Sequence, residues 1–157
     1  MQFVLLTGAD IGEKELTLQK AASIINERIG RVIRTSRFFE SAPWGFESET
    51  TFLNQALLIE TKLQPEALLK ELQAIEKELG RIRKDEQWIS RTIDIDILCS
   101  ENLIHHSDSL IIPHLHLRER EFALEPLCEL VPEWKHPLLK TSYSELLAGV
   151  KIKSERV

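Results

Sequence analysis

The sequence is short of cysteine, glycine, proline and long apolar runs, and it carries no excess of positive charge. Its two cysteines, Cys99 and Cys128, form no close pair, which excludes a disulfide framework and a cysteine-based zinc centre. Both are expected to be reduced, buried thiols. Six glycines and six prolines in 157 residues are too few for a low-complexity or disordered chain. The apolar run at Phe3 to Leu6 is too short for a signal peptide or a membrane span and has no basic start, so the cytoplasm is the expected compartment and no membrane partner is expected. A net charge of −5 argues against broad binding to nucleic acid. Any phosphate site must therefore be a local concentration of cations, and the dense basic stretch is Arg81-Ile82-Arg83-Lys84, with Arg91 close behind.

What is present suits one globular domain over residues 1–157, with 43% hydrophobic and 29% charged residues and enough length to bury a core without staples. Phe3 to Leu6 reads as a strand, and Leu18, Ala21, Ala22, Ile25 and Ile29 make one helical face that Gly30 stops. Arg31 to Glu40 and Thr51 to Thr61 read as strands flanking a loop rich in turn formers. Pro65 opens a second helix whose stripe is Leu68, Leu72, Ile75 and Leu79, ending at Gly80. Ile93, Ile95 and Ile97 alternate with Asp94 and Asp96, the period of a strand with two unlike faces. Weaker patterns suggest short strands within Leu103 to Ile112 broken near Ser107-Asp108, a helix from Phe122 to Leu130 interrupted near Pro126, and a helical turn at Ser144 to Leu147. The order β-α-β-β-α-β predicts an α+β ferredoxin-like sandwich, a mainly antiparallel sheet with helices packed on one face.

Asp94 and Asp96 are the sharpest chemical signal. Two residues apart on a strand, they project from one face and repel each other, and a divalent cation offsets that repulsion. Mg²⁺ takes one or two carboxylates and leaves its other positions to water and substrate phosphates. Asp is depleted in strands, so a mere solvent-facing strand accounts less well for the pair. Arg81, Arg83, Lys84 and Arg91 flank the Trp88 segment, and arginine forks hold phosphate oxygens through paired hydrogen bonds. Dipole compensation at a helix end is the plainer account of Arg81 and Arg83 and does not reach Arg91. Gly8-Ala9-Asp10-Ile11-Gly12 lacks the P-loop pattern and signals only a turn. Phe52 and Asn54 share strand parity and offer a flat apolar face beside an amide. His114 and His116 are weak as zinc ligands, and His114 is better suited to donate to phosphate. His105, His106 and His136 read as surface residues, and Trp44, Trp88 and Trp134 as packing residues.

These pieces resemble one known family, 6-hydroxymethyl-7,8-dihydropterin pyrophosphokinase, from Phe3 to about Leu130. The resemblance centres on Gly80-Arg81-Ile82-Arg83-Lys84 and on Trp88-Ile89-Ser90-Arg91-Thr92-Ile93-Asp94-Ile95-Asp96-Ile97-Leu98, with Pro113-His114 and Arg120-Glu121-Phe122 downstream. It implies an enzyme of folate biosynthesis that moves pyrophosphate from ATP to 6-hydroxymethyl-7,8-dihydropterin and releases AMP. It further implies that Asp94 and Asp96 hold two Mg²⁺ ions and that Arg81 and Arg91 clamp the transferring group. The ATP set would be Glu76, Arg81, Arg83, Trp88, Arg91, Ile97, His114 and Arg120. The pterin would lie between Phe52 and Phe122, with Asn54 reading its polar edge and Thr7, Pro43 and Gly45 around it. Ala9, Asp10, Gln87, Ile89, Phe52 and Leu115 depart from the residues commonest in the family.

The residues by themselves leave two rivals, another metal-dependent phosphotransferase without a pterin site and a nucleotide sensor without catalysis. Phe52, Asn54 and Phe122 argue against the first. A monomer is expected, with the loops Pro43 to Glu49 and Lys84 to Ser90 acting as lids over bound substrates.

Overall fold

A computed structural model describes the backbone of residues 1–41, 51–84, 87–90 and 93–155, with side chains described throughout except in 81–84, 87–90 and 154–155. The strands are β1 (Gln2–Ala9), β2 (Arg31–Thr35), β3 (Phe39–Ser41), β4 (Phe52–Glu60), β5 (Arg81–Lys84), β6 (Gln87–Ser90), β7 (Ile93–Ser100), β8 (His105–His106) and β9 (Ile111–Ile112). The helices are α1 (Lys14–Arg28), α2 (Pro65–Gly80), α3 (Glu121–Leu130) and α4 (Tyr143–Glu155), with a 3-10 turn at Leu117–Glu119.

The main sheet has five strands in the order β2-β4-β1-β7, with β3 pairing the far end of β4, and each of these pairs is antiparallel. That is the strand order a split β-α-β topology produces. The stretch expected as one strand at Arg31 to Glu40 is two, because Ser36 interrupts it. The Ser36 N–H donates to the Ala56 carbonyl, and its Oγ accepts from the Ala56 N–H, each at 2.9 Å.

Alternation along β1, β4 and β7 builds two cores. Phe3, Leu5, Leu57, Ile59 and the three isoleucines of β7 pack under α1 and α2, which contribute Leu18, Ala21, Ile25, Leu68, Leu72 and Ile75. Val4, Leu6, Ala56, Leu58 and Cys99 pack under Leu124, Leu127 and Leu130 of α3 and Tyr143 of α4. Helices thus cover both faces, which corrects the expectation of one covered face. β1 and β4 are apolar at successive residues, and only a sheet buried on both sides accommodates such strands.

Other elements differ from the sequence pattern. α3 runs unbroken through Pro126, and the turn expected at Ser144 to Leu147 is the full helix α4. The basic stretch and the Trp88 segment pair as a hairpin, β5 with β6, where a plain connection was expected. Gly8 and Ala9 belong to β1, so the turn is confined to the residues that follow, with Gly12 at φ 75. His136 is buried, not on the surface, and its Nδ1 accepts from the backbone N–H groups of Leu138 and Leu139. Trp134 packs in the second core as expected, and both cysteines are free thiols. Cys128 is only half buried, whereas burial pushes the Cys99 thiol up to about 12.

Gly30 joins α1 to β2 where the chain presses on β4. A Cβ there would stand 2.1 Å from the Glu60 carbonyl oxygen, a backbone atom that cannot swing aside. Gly149 in α4 has nothing within 4 Å of the same position. Gly30→Ala should therefore cost about 1–3 kcal/mol through overpacking. Gly149→Ala should add roughly 0.4–1 kcal/mol by restricting the unfolded chain. Urea unfolding of the two variants beside the parent protein measures both.

Candidate active site

The register of the central strand assembles the site. Gly8 is directly opposite Asn54 on β4 and directly opposite Asp94 on β7, and Phe39 of β3 faces Asn54 in turn. Cross-strand partners share a face, so Asn54, Gly8 and Asp94 form a row across the sheet on the side covered by α3. Two interstrand spacings put Asn54 and Asp94 roughly 10 Å apart, with only a glycine between them. A Cβ at Gly8 would stand 2.9 Å from the Asn54 Oδ1 and 4.0 Å from a ring carbon of Phe52. Asn54 is held by its own Nδ2, which donates to the Ser41 Oγ at 2.7 Å, and its Oδ1 is left over the gap. Phe52 shares the face of Asn54 by strand parity, and Phe122 at the start of α3 packs against the same core from above.

Asp94 and Asp96 project from that face, and Ile93, Ile95 and Ile97, which alternate with them, anchor the opposite one. Both carboxyls are pushed above the usual range. At Asp94 the causes are desolvation by surrounding protein, then the charges of Asp96 and Asp10. At Asp96 desolvation acts alone, and Arg120 opposes it. Glu76 reaches the outer edge of β7, where the Ile95 N–H donates to it, and burial and then Asp94 raise it to about 7 despite that bond. The Asp10 Oδ1 is buried and makes no hydrogen bond among the described residues. Negative charge is thus under-compensated around hard oxygen donors, and this fits Mg²⁺. No group of three or more His, Cys, Asp or Glu side chains among the described residues is disposed to hold a metal alone.

Beyond the carboxylates, a cleft of about 350 Å³ lies along the outer edge of β7, lined by Leu69, Asp96, Ile97, Ser109, Ile111, His114 and Leu115 among others. The Ile95 N–H points out of the sheet to Glu76. Hydrogen-bonding direction alternates along an antiparallel strand, so the main chain of Ile97 also faces outward, into this cleft. His114 is fixed by its backbone N–H, which donates to the Leu98 carbonyl at 2.8 Å. Its Nδ1 accepts from the His116 N–H at 3.3 Å, which leaves the proton of the neutral ring on Nε2. Burial, with Arg120 and His116 adding repulsion, lowers its pKa to about 4. The Arg120 guanidinium acts on both Asp96 and His114 and lies 5.6 Å from the centroid of the Phe122 ring.

The structure therefore gathers Glu76, Asp94, Asp96, Ile97, His114 and Arg120 around one edge of the sheet, and Phe52, Asn54 and Phe122 beside them. Thr7 is placed otherwise. Its side chain is fully buried on the opposite face, where its Oγ1 donates to the Gln55 carbonyl at 3.2 Å, so no side-chain contact with a ligand over Gly8 is open to it. The side chains of Arg81, Arg83 and Trp88, and the whole of Pro43, Gly45 and Arg91, lie outside the described residues, as does all of the lid expected from Pro43 to Glu49; of the lid expected from Lys84 to Ser90 the backbone at 84 and 87–90 is described, within the β5–β6 hairpin. Sequence reasoning passed over Asp10, whose lone carboxyl in a turn gives no periodic signal, and Ser41, which orients Asn54.

The depressed pKa of His114 has a definite sign. A histidine held neutral in the fold contributes stability that is complete above its ordinary value of 6.5 and is lost as pH falls through about 4. His114→Gln should remove that part of the acid sensitivity, measured by urea unfolding across this range. An NMR titration of the parent protein should show the Nε2–H tautomer persisting from neutral pH down to the acid transition.

The family model for 7,8-dihydro-6-hydroxymethylpterin-pyrophosphokinase (HPPK) matches residues 4–132. A 2-amino-4-hydroxy-6-hydroxymethyldihydropteridine pyrophosphokinase of Porphyromonas gingivalis is 38% identical over 136 residues, covering 85% of this chain and 92% of its own. One from Methylorubrum extorquens is 39% identical and covers 80% of each. The folic acid synthesis protein fol1 of Schizosaccharomyces pombe is 39% identical over 89% of this chain, which spans 19% of that longer protein. In three dimensions an HPPK-DHPS crystal structure matches 99% of the chain with a TM-score of 0.75 at 15% identity, and the chain spans 44% of it. Wild-type HPPK-DHPS of Plasmodium falciparum matches 94% with a TM-score of 0.72 at 16% identity, the chain again spanning 44%. These structures share the fold. The sequence matches and the family model together establish that the chain belongs to the HPPK family, the pyrophosphokinases of folate biosynthesis.

Proposed function

We propose that the chain transfers pyrophosphate from ATP to the hydroxymethyl oxygen of 6-hydroxymethyl-7,8-dihydropterin with the pterin lying over Gly8, its polar edge at Asn54 and its hydroxymethyl arm at Asp94. The observation that carries this reading is the row Asn54–Gly8–Asp94, where the missing side chain leaves a slot roughly 10 Å long. Phe52 and Phe122 supply aromatic walls of the kind that grip a flat heterocycle. The Asn54 Oδ1 accepts from a pterin N–H.

The cleft beside β7 takes the nucleotide. The outward main chain of Ile97 reads the base, and His114 donates its Nε2–H to phosphate without changing charge near neutral pH. Arg120 sits between the carboxylates and Phe122 and adds positive charge where the two substrates meet. Arg81 and Arg91 clamp the transferring group, with Arg83 and Trp88 nearby. Asp94 and Asp96, with Glu76 beside them, would hold two Mg²⁺ ions, whose charge offsets that of the polyphosphate. The hydroxymethyl oxygen forms its bond to the β-phosphorus as the bond from that phosphorus to the α-β bridging oxygen breaks, and AMP departs. The hydroxymethyl proton passes to water or to a strand carboxylate. Phosphoryl-type transfer asks the protein mainly for alignment and charge neutralisation, and these residues provide both. The chain acts as a single domain and a monomer.

Asp94→Ala and Asp96→Ala should each lower turnover by roughly a hundredfold or more while the fold persists. Chromatographic assay of AMP formation, paired with circular dichroism, checks both statements, and near-normal turnover at ordinary Mg²⁺ would contradict the metal assignment. Gly8→Ala should raise KM for the pterin much more than KM for ATP, because its methyl group enters the slot beside the Asn54 Oδ1.

A further inference from the structure

Away from the carboxylates, one side chain ties the nucleotide cleft to the helical layer. Glu66 lies in the first turn of α2. One of its oxygens accepts from the Ser107 Oγ and lies 3.0 Å from the His105 Nε2, and the other accepts from the Ser109 Oγ at 2.8 Å. Ser107 also closes the tight turn between β8 and β9. The Ser107 N–H donates to the Leu110 carbonyl at 2.9 Å, and the Leu110 N–H donates to the Ser107 Oγ at 3.2 Å. Ser109, Leu110 and Ile111 then line the cleft together with Ile97 and His114. One helical turn beyond Glu66, Leu69 lines the cleft from α2 itself. The wall belongs to a hairpin of two-residue strands, which is too short to hold its own position.

We propose that Glu66 is a positioning residue for nucleotide binding: by gathering Ser107, Ser109 and His105 onto the start of α2, it sets the distance between the Ser109–Ile111 wall and the outward main chain of Ile97. The proposal rests on assigning this cleft to the nucleotide. The carboxylate stays ionised, because the hydrogen bonds from Ser107, His105 and Ser109 hold its pKa down at about 2. Glu66 touches no reacting atom, so its loss widens the cleft and leaves the carboxylates and the pterin slot in place.

The test is steady-state kinetics with ATP and with GTP, together with calorimetric titration of α,β-methylene-ATP in the presence of Mg²⁺. Glu66→Ala should raise KM for ATP and the Kd of the analogue by about tenfold, the scale of a misplaced binding wall. Its kcat at saturating ATP and its KM for the pterin should stay within about twofold, since uniform binding energy is what is lost. The preference for ATP over GTP should narrow, because a wider cleft discriminates bases less. Glu66→Gln, which can still exchange hydrogen bonds with both rotatable hydroxyls, should restore most of the affinity. Ser109→Ala removes an exposed hydroxyl and threatens folding least. It should reproduce part of the loss and add nothing further to Glu66→Ala. An unchanged KM for ATP in both Glu66→Ala and Ser109→Ala would overturn the proposal, as would an equal fall in kcat with a rise in both KM values. The amide NMR signals of Ile97, Leu110 and Ile111 in the parent protein separate the two ideas. If they shift when the analogue binds while the variants behave normally, only the role of Glu66 fails. If the analogue binds and they do not move, the cleft assignment fails with it.

Discussion

Gly8 stands between Asn54 and Asp94 because β1 pairs with β4 on one side and β7 on the other in a fixed antiparallel register. A slip of one residue would turn every side chain of a strand to the other face, exchanging the carboxylates for isoleucines. The two cores prevent that slip, since Phe3 and Leu5 are committed to one helical layer and Val4 and Leu6 to the other. Packing on both faces thus sets the positions of the polar groups, and the site is a consequence of the hydrophobic pattern around it.

A second constraint is electrostatic. Burial raises the proton affinity of Glu76, Asp94 and Asp96; the charges of Asp96 and Asp10 add to it at Asp94, those of Asp94 and Asp96 add to it at Glu76, and Arg120 opposes it at Asp96. Such an arrangement stores unfavourable charge interaction in the protein alone and relieves it when a hard cation enters. His114 shows the reverse tuning. It is kept neutral by burial and by Arg120, so it can donate a hydrogen bond beside a cationic group without adding to the repulsion.

Much of this was legible in the residues. The Asp94/Asp96 spacing, the isoleucine alternation and the two helical stripes each express a local period, and periods survive in a sequence because neighbouring positions share one element. Pairings that join distant segments left no such trace. Nothing in the sequence near Thr7 says that its hydroxyl faces Gln55, and only the family resemblance placed it beside the pterin. Asp10, Ser41 and Glu66 acquire their roles only from partners far along the chain. The last helix was underestimated for a related reason. α4 has no strong stripe of its own, and its burial comes from packing across α3 onto the second core.

The sequence by itself determined the order of the main strands and helices along the chain and pointed to a metal and phosphate site, because the carboxylate pair, the arginine-rich stretch and the alternation of elements are local patterns with direct physical meaning. Only the tertiary structure decided that the sheet is covered on both faces, that Gly8 is the open place in the row from Asn54 to Asp94, and that Glu66 ties Ser107 and Ser109 to the start of α2. These features depend on register and on contacts between residues far apart in the chain, and such contacts are fixed by the collective packing of two cores, which no local period encodes.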